Sequence, residues 1–112
     1  MEIETINSSS LIRSGWIDKK YSHTYKRRYL YLTSTVLLTF TQEINTELID
    51  LNETKPETTL QTALINDVIL YNDQNSIGYF EIVVQENKNR YRCHIDDASL
   101  WVRDLKLAMP KK

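Results

Sequence analysis

The chain of 112 residues contains one cysteine, two glycines, two prolines and two histidines. A single cysteine, Cys93, excludes an internal disulfide framework and a cysteine-rich zinc site. Two glycines leave no glycine-rich phosphate loop, and no His, Cys, Asp and Glu spacing matches a metal-ligand motif, so neither cofactor nor metal is expected. No apolar run approaches the roughly 18 to 20 residues that a membrane span requires. The first ten residues, MEIETINSSS, carry two acids and no apolar block; they are unlike a secretory signal and are expected to form a loose leader. The formal net charge of −1 gives no reason to expect a nucleic-acid partner. No carboxylate pair comes with a third group that could orient a base, and no enzyme is expected.

What is present is a marked asymmetry of charge. Residues 12–28 hold Arg13, Lys19, Lys20, Lys26, Arg27 and Arg28 against Asp18 alone, a net of +5; the other residues carry eight basic and fourteen acidic side chains, a net of −6. A fold that keeps the basic segment together makes one positive patch on an acidic body.

Hydrophobic periodicity is mostly two, the spacing of strands. Strands are expected over 11–20, 25–33, 36–42, 47–51, 65–71, 78–86 and 90–95, with polar loops over 52–62 and 72–76. From Asp96 the period lengthens: Ala98, Trp101, Leu105 and Ala108 form one helical stripe, Asp96 or Asp97 is placed to cap it, Lys106 suits its C-terminal end and Pro110 stops it. Seven short strands joined by short turns favour an antiparallel arrangement that curls into two packed sheets or a partly open barrel, with the helix as a lid.

Strand alternation then sorts the basic residues. If Ile17 faces the core, so does Lys19; if Leu30 and Leu32 do, so do Lys26 and Arg28. Cations cannot lie within the apolar core, where each costs several kcal/mol, so they belong at strand ends where the core face opens to water. Lys19 ends one strand, Lys26 and Arg28 begin the next, and a turn of about four residues (21–24) joins them; all three converge at one mouth. Lys20 and Arg27 have the opposite parity and flank it from outside. His23, in the turn, adds charge there when protonated. Two lysines and an arginine fork form a receptor for phosphate or carboxylate. Trp101 is expected as a core plug, Cys93 as a small buried hydrophobe and Trp16 on the outer face.

The sequence resembles the pleckstrin homology domains over about residues 12–109. SGWIDKK looks like the family's first strand, YKRRYLYL its second, ELIDL its fourth, YFEIVV and RYRCHI its sixth and seventh, and Trp101 followed by Leu105 its C-terminal helix. The resemblance implies a mainly β fold with one C-terminal helix: seven antiparallel strands in two near-orthogonal sheets, a partly open barrel capped by the helix, spanning residues 11–110 with a tail at 111–112. It also implies that Lys19, Lys26 and Arg28 hold the phosphates of an inositol headgroup, with Lys88 and Arg90 brought to the mouth by the loop between the last two strands. The chain departs from the family's tightest binders. Phe40, aligned with a third-strand tyrosine that donates to a phosphate, has no hydroxyl; the 21–24 turn is short and lacks glycine; the stretch from Gln42 to Thr46 has no basic residue. The expected function is weak or promiscuous binding of phosphatidylinositol phosphates or soluble inositol phosphates, in a cytoplasmic domain peripherally associated with a membrane surface. The alternative is a protein-interaction module of a larger signalling chain, such as an exchange factor for a small GTPase.

Overall fold

The computed structural model describes residues 5–72 and 75–110. Among them nine strands precede one helix: β1 (Thr5–Asn7), β2 (Leu11–Tyr21), β3 (Thr24–Thr33), β4 (Val36–Phe40), β5 (Leu48–Asp50), β6 (Thr58–Gln61), β7 (Asp67–Asn72), β8 (Ile77–Val84), β9 (Asn87–His94) and α1 (Ile95–Ala108). Seven strands form one antiparallel sheet in the order β6-β4-β3-β2-β9-β8-β7, while β1 and β5 form a separate two-stranded ribbon. The long strand β2 carries the bend. Most of its length pairs with β3, and it joins β9 through only two register pairs, Asp18↔Arg92 and Lys19↔Tyr91. So narrow a join lets the two halves of the sheet turn against each other around one core, and the edge strands β6 and β7 do not pair to close a barrel.

The inner face gathers Ile17, Leu30, Leu32 and Leu37 from β2 to β4 with Phe80, Ile82 and Tyr91 from β8 and β9. The helix completes this core with Ala98, Trp101 and Leu105, the stripe expected from its period. A Cβ at Gly78 would fall 2.6 Å from that of Ala98, so this glycine is what lets α1 seat directly on β8. The helix cap is His94 rather than Asp96 or Asp97: its Nδ1 accepts from the Asp96 N–H at 3.2 Å, and the two aspartates occupy the first turn, where they complement the helix dipole. The helix covers the end of the curled sheet where β2 begins. There Arg13 donates from Nε to Asp104 at 2.6 Å and lays its guanidinium over Trp101. The far end of β2, at Tyr21, lies about 26 Å from Arg13 at 3.3 Å per residue and is left open.

A second core lies on the outer face. Tyr29, Tyr31, Val36, Leu38 and Phe40 pack there beneath Ile6 and Ile49 of the ribbon. Strand β4 is consequently buried on both faces. This arrangement corrects three expectations. ELIDL is not a strand of the main sheet; its Leu48–Asp50 pairs with β1. The partner of β4 is Thr58–Gln61, inside the stretch read as loop, where Thr39 pairs with Thr58 and Leu37 with Leu60. Residues 5–10, read as a loose leader, form β1 and a 3₁₀ turn, and Ile6 is buried. Two of the three share a cause: β6 and β1 carry too few apolar residues to show a period, whereas ELIDL shows its strand but not its partner, which only the second core reveals.

Candidate functional site

The β2–β3 hairpin turns through two residues, Ser22 and His23, with Tyr21 paired to Thr24 and Ser22 in the left-handed region at φ 54°. The turn is tighter than expected, so the strands run in register to the tip and place Lys19 directly opposite Lys26, with Arg28 opposite Ile17. Like charges facing each other across a ladder repel. Here Tyr21, which shares their face, lies among them: Lys19 Nζ, Lys26 Nζ and Arg28 Cζ stand 5.3, 5.4 and 5.1 Å from the centre of its ring. All three are within cation–π range of one aromatic ring. The structure thus brings together the three inward cations picked by strand parity.

Lys19 is more deeply placed than expected, at 8% exposure. Burial lowers the pKa of its ammonium group, an effect partly offset by the charge of Glu57. Glu57 is the residue that sequence reasoning missed. Its N–H donates to Thr39 O at 2.6 Å, which fixes it at the entry to β6 beside the open end. Its carboxylate then takes two donors at once: Oε1 accepts from the Tyr21 hydroxyl and Oε2 from Arg28 Nε at 2.9 Å. Arg28 is held from the other side by a bond from its Nη1 to Arg27 O at 2.8 Å. Burial would raise the Glu57 carboxyl, but the bonds from Tyr21 and Arg28 outweigh it and hold the pKa below the usual carboxylate range. Burial, and then the bond to Glu57, push the Tyr21 hydroxyl up to about 12. The open end therefore presents three cations, one phenol donor and one resident carboxylate.

Tyr21 carries a signal in the sequence, because it follows Lys19 by two residues and must share its face, but its place at the edge of the 21–24 turn masks that signal. Phe40 is corrected. It lies 1% exposed in the outer core, on the face away from the cations, and the hydroxyl that stands among them is that of Tyr21.

The flanking residues divide differently. Lys20 and Arg27 point outward, as their parity requires, and Arg27 stacks on Trp16 at 4.7 Å. Trp16 itself meets Tyr29 edge-on at 5.4 Å. Lys88 and Arg90, which the resemblance brings to the mouth, instead share the outer face with Lys20, because β9 pairs with β2 so that Tyr91, not Arg90, faces inward with Lys19. With Ser22 and Glu81 they line a separate cleft of about 360 Å³. Arg90 stacks over Tyr71 at 5.2 Å and pairs with Glu81 at 3.5 Å; Arg92 stacks over Tyr25 at 4.1 Å and pairs with Asp18 at 3.1 Å. His23 is exposed at the tip of the turn. Cys93 packs against the inner core, and burial pushes its thiol up to about 12, which leaves it a poor nucleophile. Among the described residues no three His, Cys, Asp or Glu stand close enough to hold a metal ion, and no helix is long and apolar enough to cross a membrane.

Solved structures share this architecture over nearly the whole chain. The Slm1 PH domain in complex with inositol 4-phosphate aligns with a TM-score of 0.70 at 15% identity, covering 90% of this chain and 98% of that one. This chain has the pleckstrin homology fold. The Slm1 PH domain in complex with phosphoserine aligns with a TM-score of 0.71 at 17% identity, covering 90% and 97%. The N-terminal PH domain of human ARAP2 gives 0.64 at 17%, covering 87% and 77%. No family model and no curated protein sequence matches the chain. The pleckstrin homology fold is thus carried by a sequence only 15–17% identical to those of these neighbours.

Proposed function

We propose that the protein is a binding module for phosphorylated inositol headgroups, which it takes at the open inner end of the β2–β3 hairpin through Lys19, Lys26, Arg28 and the Tyr21 hydroxyl. One observation carries this reading: an anionic group is already held there, the Glu57 carboxylate, with one oxygen on Tyr21 and the other on Arg28 beside Lys19. A set of donors that binds two carboxylate oxygens in this way suits two oxygens of a phosphate equally well. The Slm1 domain's inositol 4-phosphate complex, on the same fold, supports the choice of ligand.

The charge distribution suits a membrane surface. Each basic residue near an anionic bilayer contributes roughly 1 kcal/mol, and the acidic remainder of the chain turns the basic hairpin toward it. Such attraction is weak and salt-sensitive, so residence at a membrane needs a second contact, from a partner or a linked domain. A second reading places the same ligand in the outer cleft, and the cations that line it, Lys20, Lys88 and Arg90, favour that reading.

One titration separates the two. Inositol phosphates are added to the isotope-labelled protein and followed by NMR, and vesicles with and without phosphoinositides are sedimented with it. Loss of a charge-assisted bond weakens binding by about 1.5–3 kcal/mol, roughly 10- to 100-fold. Arg28→Ala, and Lys19→Ala with Lys26→Ala, should each lose at least about tenfold, while Lys20→Ala with Lys88→Ala stays within about twofold. The reverse pattern moves the site to the outer cleft, and no binding by the folded wild type sinks the headgroup reading.

A further inference from the structure

The carboxylate of Glu57 is held too well to be a bystander. Its backbone is fixed by the bond to Thr39 O, both carboxylate oxygens have a donor, and the two donors belong to the group of side chains proposed to receive the ligand. Arg28 is committed to it and Tyr21 directs its only proton to it. A phosphate that takes the same donors must first remove Glu57.

We infer that Glu57 is a built-in competitor at the headgroup site, displaced on binding, and that it admits phosphomonoester dianions while rejecting monoanions. This rests on the headgroup reading above. The reason is charge. Exchanging one carboxylate for a singly charged group, such as the phosphodiester or carboxylate of an ordinary anionic lipid, leaves the three cations facing the same charge as before. Exchanging it for a phosphomonoester, whose second pKa lies near 6, adds close to a whole negative charge beside Lys19, Lys26 and Arg28. Adjacent monoester groups on one ring add more and can engage Lys26, which has no bond to Glu57 among those described. The same chemistry belongs to a phosphoinositide in a bilayer and to a free inositol phosphate.

An internal competitor lowers the apparent affinity by the fraction of time the site is free. If Glu57 holds the site for about nine-tenths of the time, removing it tightens binding about tenfold. Glu57→Gln should therefore bind inositol 4-phosphate about tenfold more tightly than wild type, measured by calorimetry at fixed salt. In sedimentation it should also gain binding to vesicles of phosphatidylcholine and phosphatidylserine, which wild type leaves in the supernatant unless a phosphoinositide is added. Glu57→Asp keeps the charge but is too short to reach both donors, so it should show part of the gain. Glu53→Gln, an exposed acid in the same connection, should show none. Thermal melting verifies that each variant is folded. Equal affinities for wild type and Glu57→Gln, or an equal gain in Glu53→Gln, overturn the competitor and leave the headgroup reading standing. No binding of any phosphate by wild type or Glu57→Gln overturns both, and vesicle and free-ligand arms that disagree identify which source of the phosphate is used.

Discussion

On the inner face of the β2–β3 hairpin, three cations share one tyrosine ring and one of them, Arg28, holds a carboxylate; on the outer face, Arg27, Arg90 and Arg92 each lie over aromatic rings of their own, and two of them have their own acid. The outer face is not poorer in charge. What differs is convergence. Guanidinium groups lying over Trp16, Tyr25, Tyr71 and Tyr79 are spread along the strands and partly satisfied where they lie. The inner cations converge on one ring, that of Tyr21. Strand alternation sends the residues of one basic segment to both faces, and on the inner face it gathers three of them around one tyrosine ring.

The strongest way to break this comparison is through the core from which the inner cations extend. Leu30 is fully buried two residues beyond Arg28 on the same face. Leu30→Ala should cost about 3 kcal/mol, within the range for leucine truncation in a packed core, and should broaden the Lys19, Tyr21 and Arg28 resonances as the inner wall loosens. Arg27→Ala, on the outer face of the same strand, should cost less than about 1 kcal/mol. Urea denaturation gives both values. Comparable costs would mean that the two faces are not mechanically distinct and that the inner receptor does not depend on the core behind it.

A smaller effect comes from the resident carboxylate. Glu57 has a folded-state pKa below its unfolded value of about 4.3. The folded state therefore holds the proton less readily, and the contribution is complete above about pH 5 and lost as the pH falls through the depressed folded value. Because the side chain is 26% exposed, the contribution is about 1 kcal/mol or less. Stability curves of wild type and Glu57→Gln, measured by denaturation between pH 7 and pH 2.5, should differ near neutrality and converge at the acid end. A constant gap over that range would show that the Glu57 pair is not what titrates.

Most of the inner face was legible in the sequence. Ile17, Lys19, Lys26, Arg28, Leu30 and Leu32 follow from parity alone, and Ala98, Trp101 and Leu105 from a helical period, because each lies in an element long enough to show its repeat. Tyr21 was legible by the same rule, but its position at a turn concealed it. Glu57 was not legible. It enters the site from the seven-residue connection between β5 and β6, whose register depends on β6, a strand with one apolar residue, Leu60. The outer core was hidden for a related reason: Tyr29, Tyr31, Val36, Leu38 and Phe40 form a clean apolar face, but nothing local says that Ile6 and Ile49 will cover it. Long-range pairing of short segments leaves no periodic trace, and both unexpected features, the second core and the resident anion, arise from it.

The smallest expected effect bears on that second core. The inner core is made of side chains without stranded polar atoms save at its open end, whereas in the outer core the Tyr31 hydroxyl is buried without a hydrogen-bond partner among the described residues. Burial also raises its pKa, with the charge of Tyr29 adding to the effect. A buried hydroxyl left unpaired costs about 1–3 kcal/mol relative to one in water. Tyr31→Phe removes that cost and keeps the ring, but leaves a small void where the oxygen was, which opposes the gain. The balance should be a stabilisation of about 0.5 kcal/mol, read as a shift of the urea midpoint at unchanged slope. On the inner face Tyr21→Phe should behave differently: Tyr21 has its partner in Glu57, so the change strands a carboxylate oxygen instead of relieving a phenol. A loss of stability in Tyr31→Phe would show that the outer hydroxyl is satisfied after all, and the contrast between a closed inner core and an imperfect outer one would fall with it.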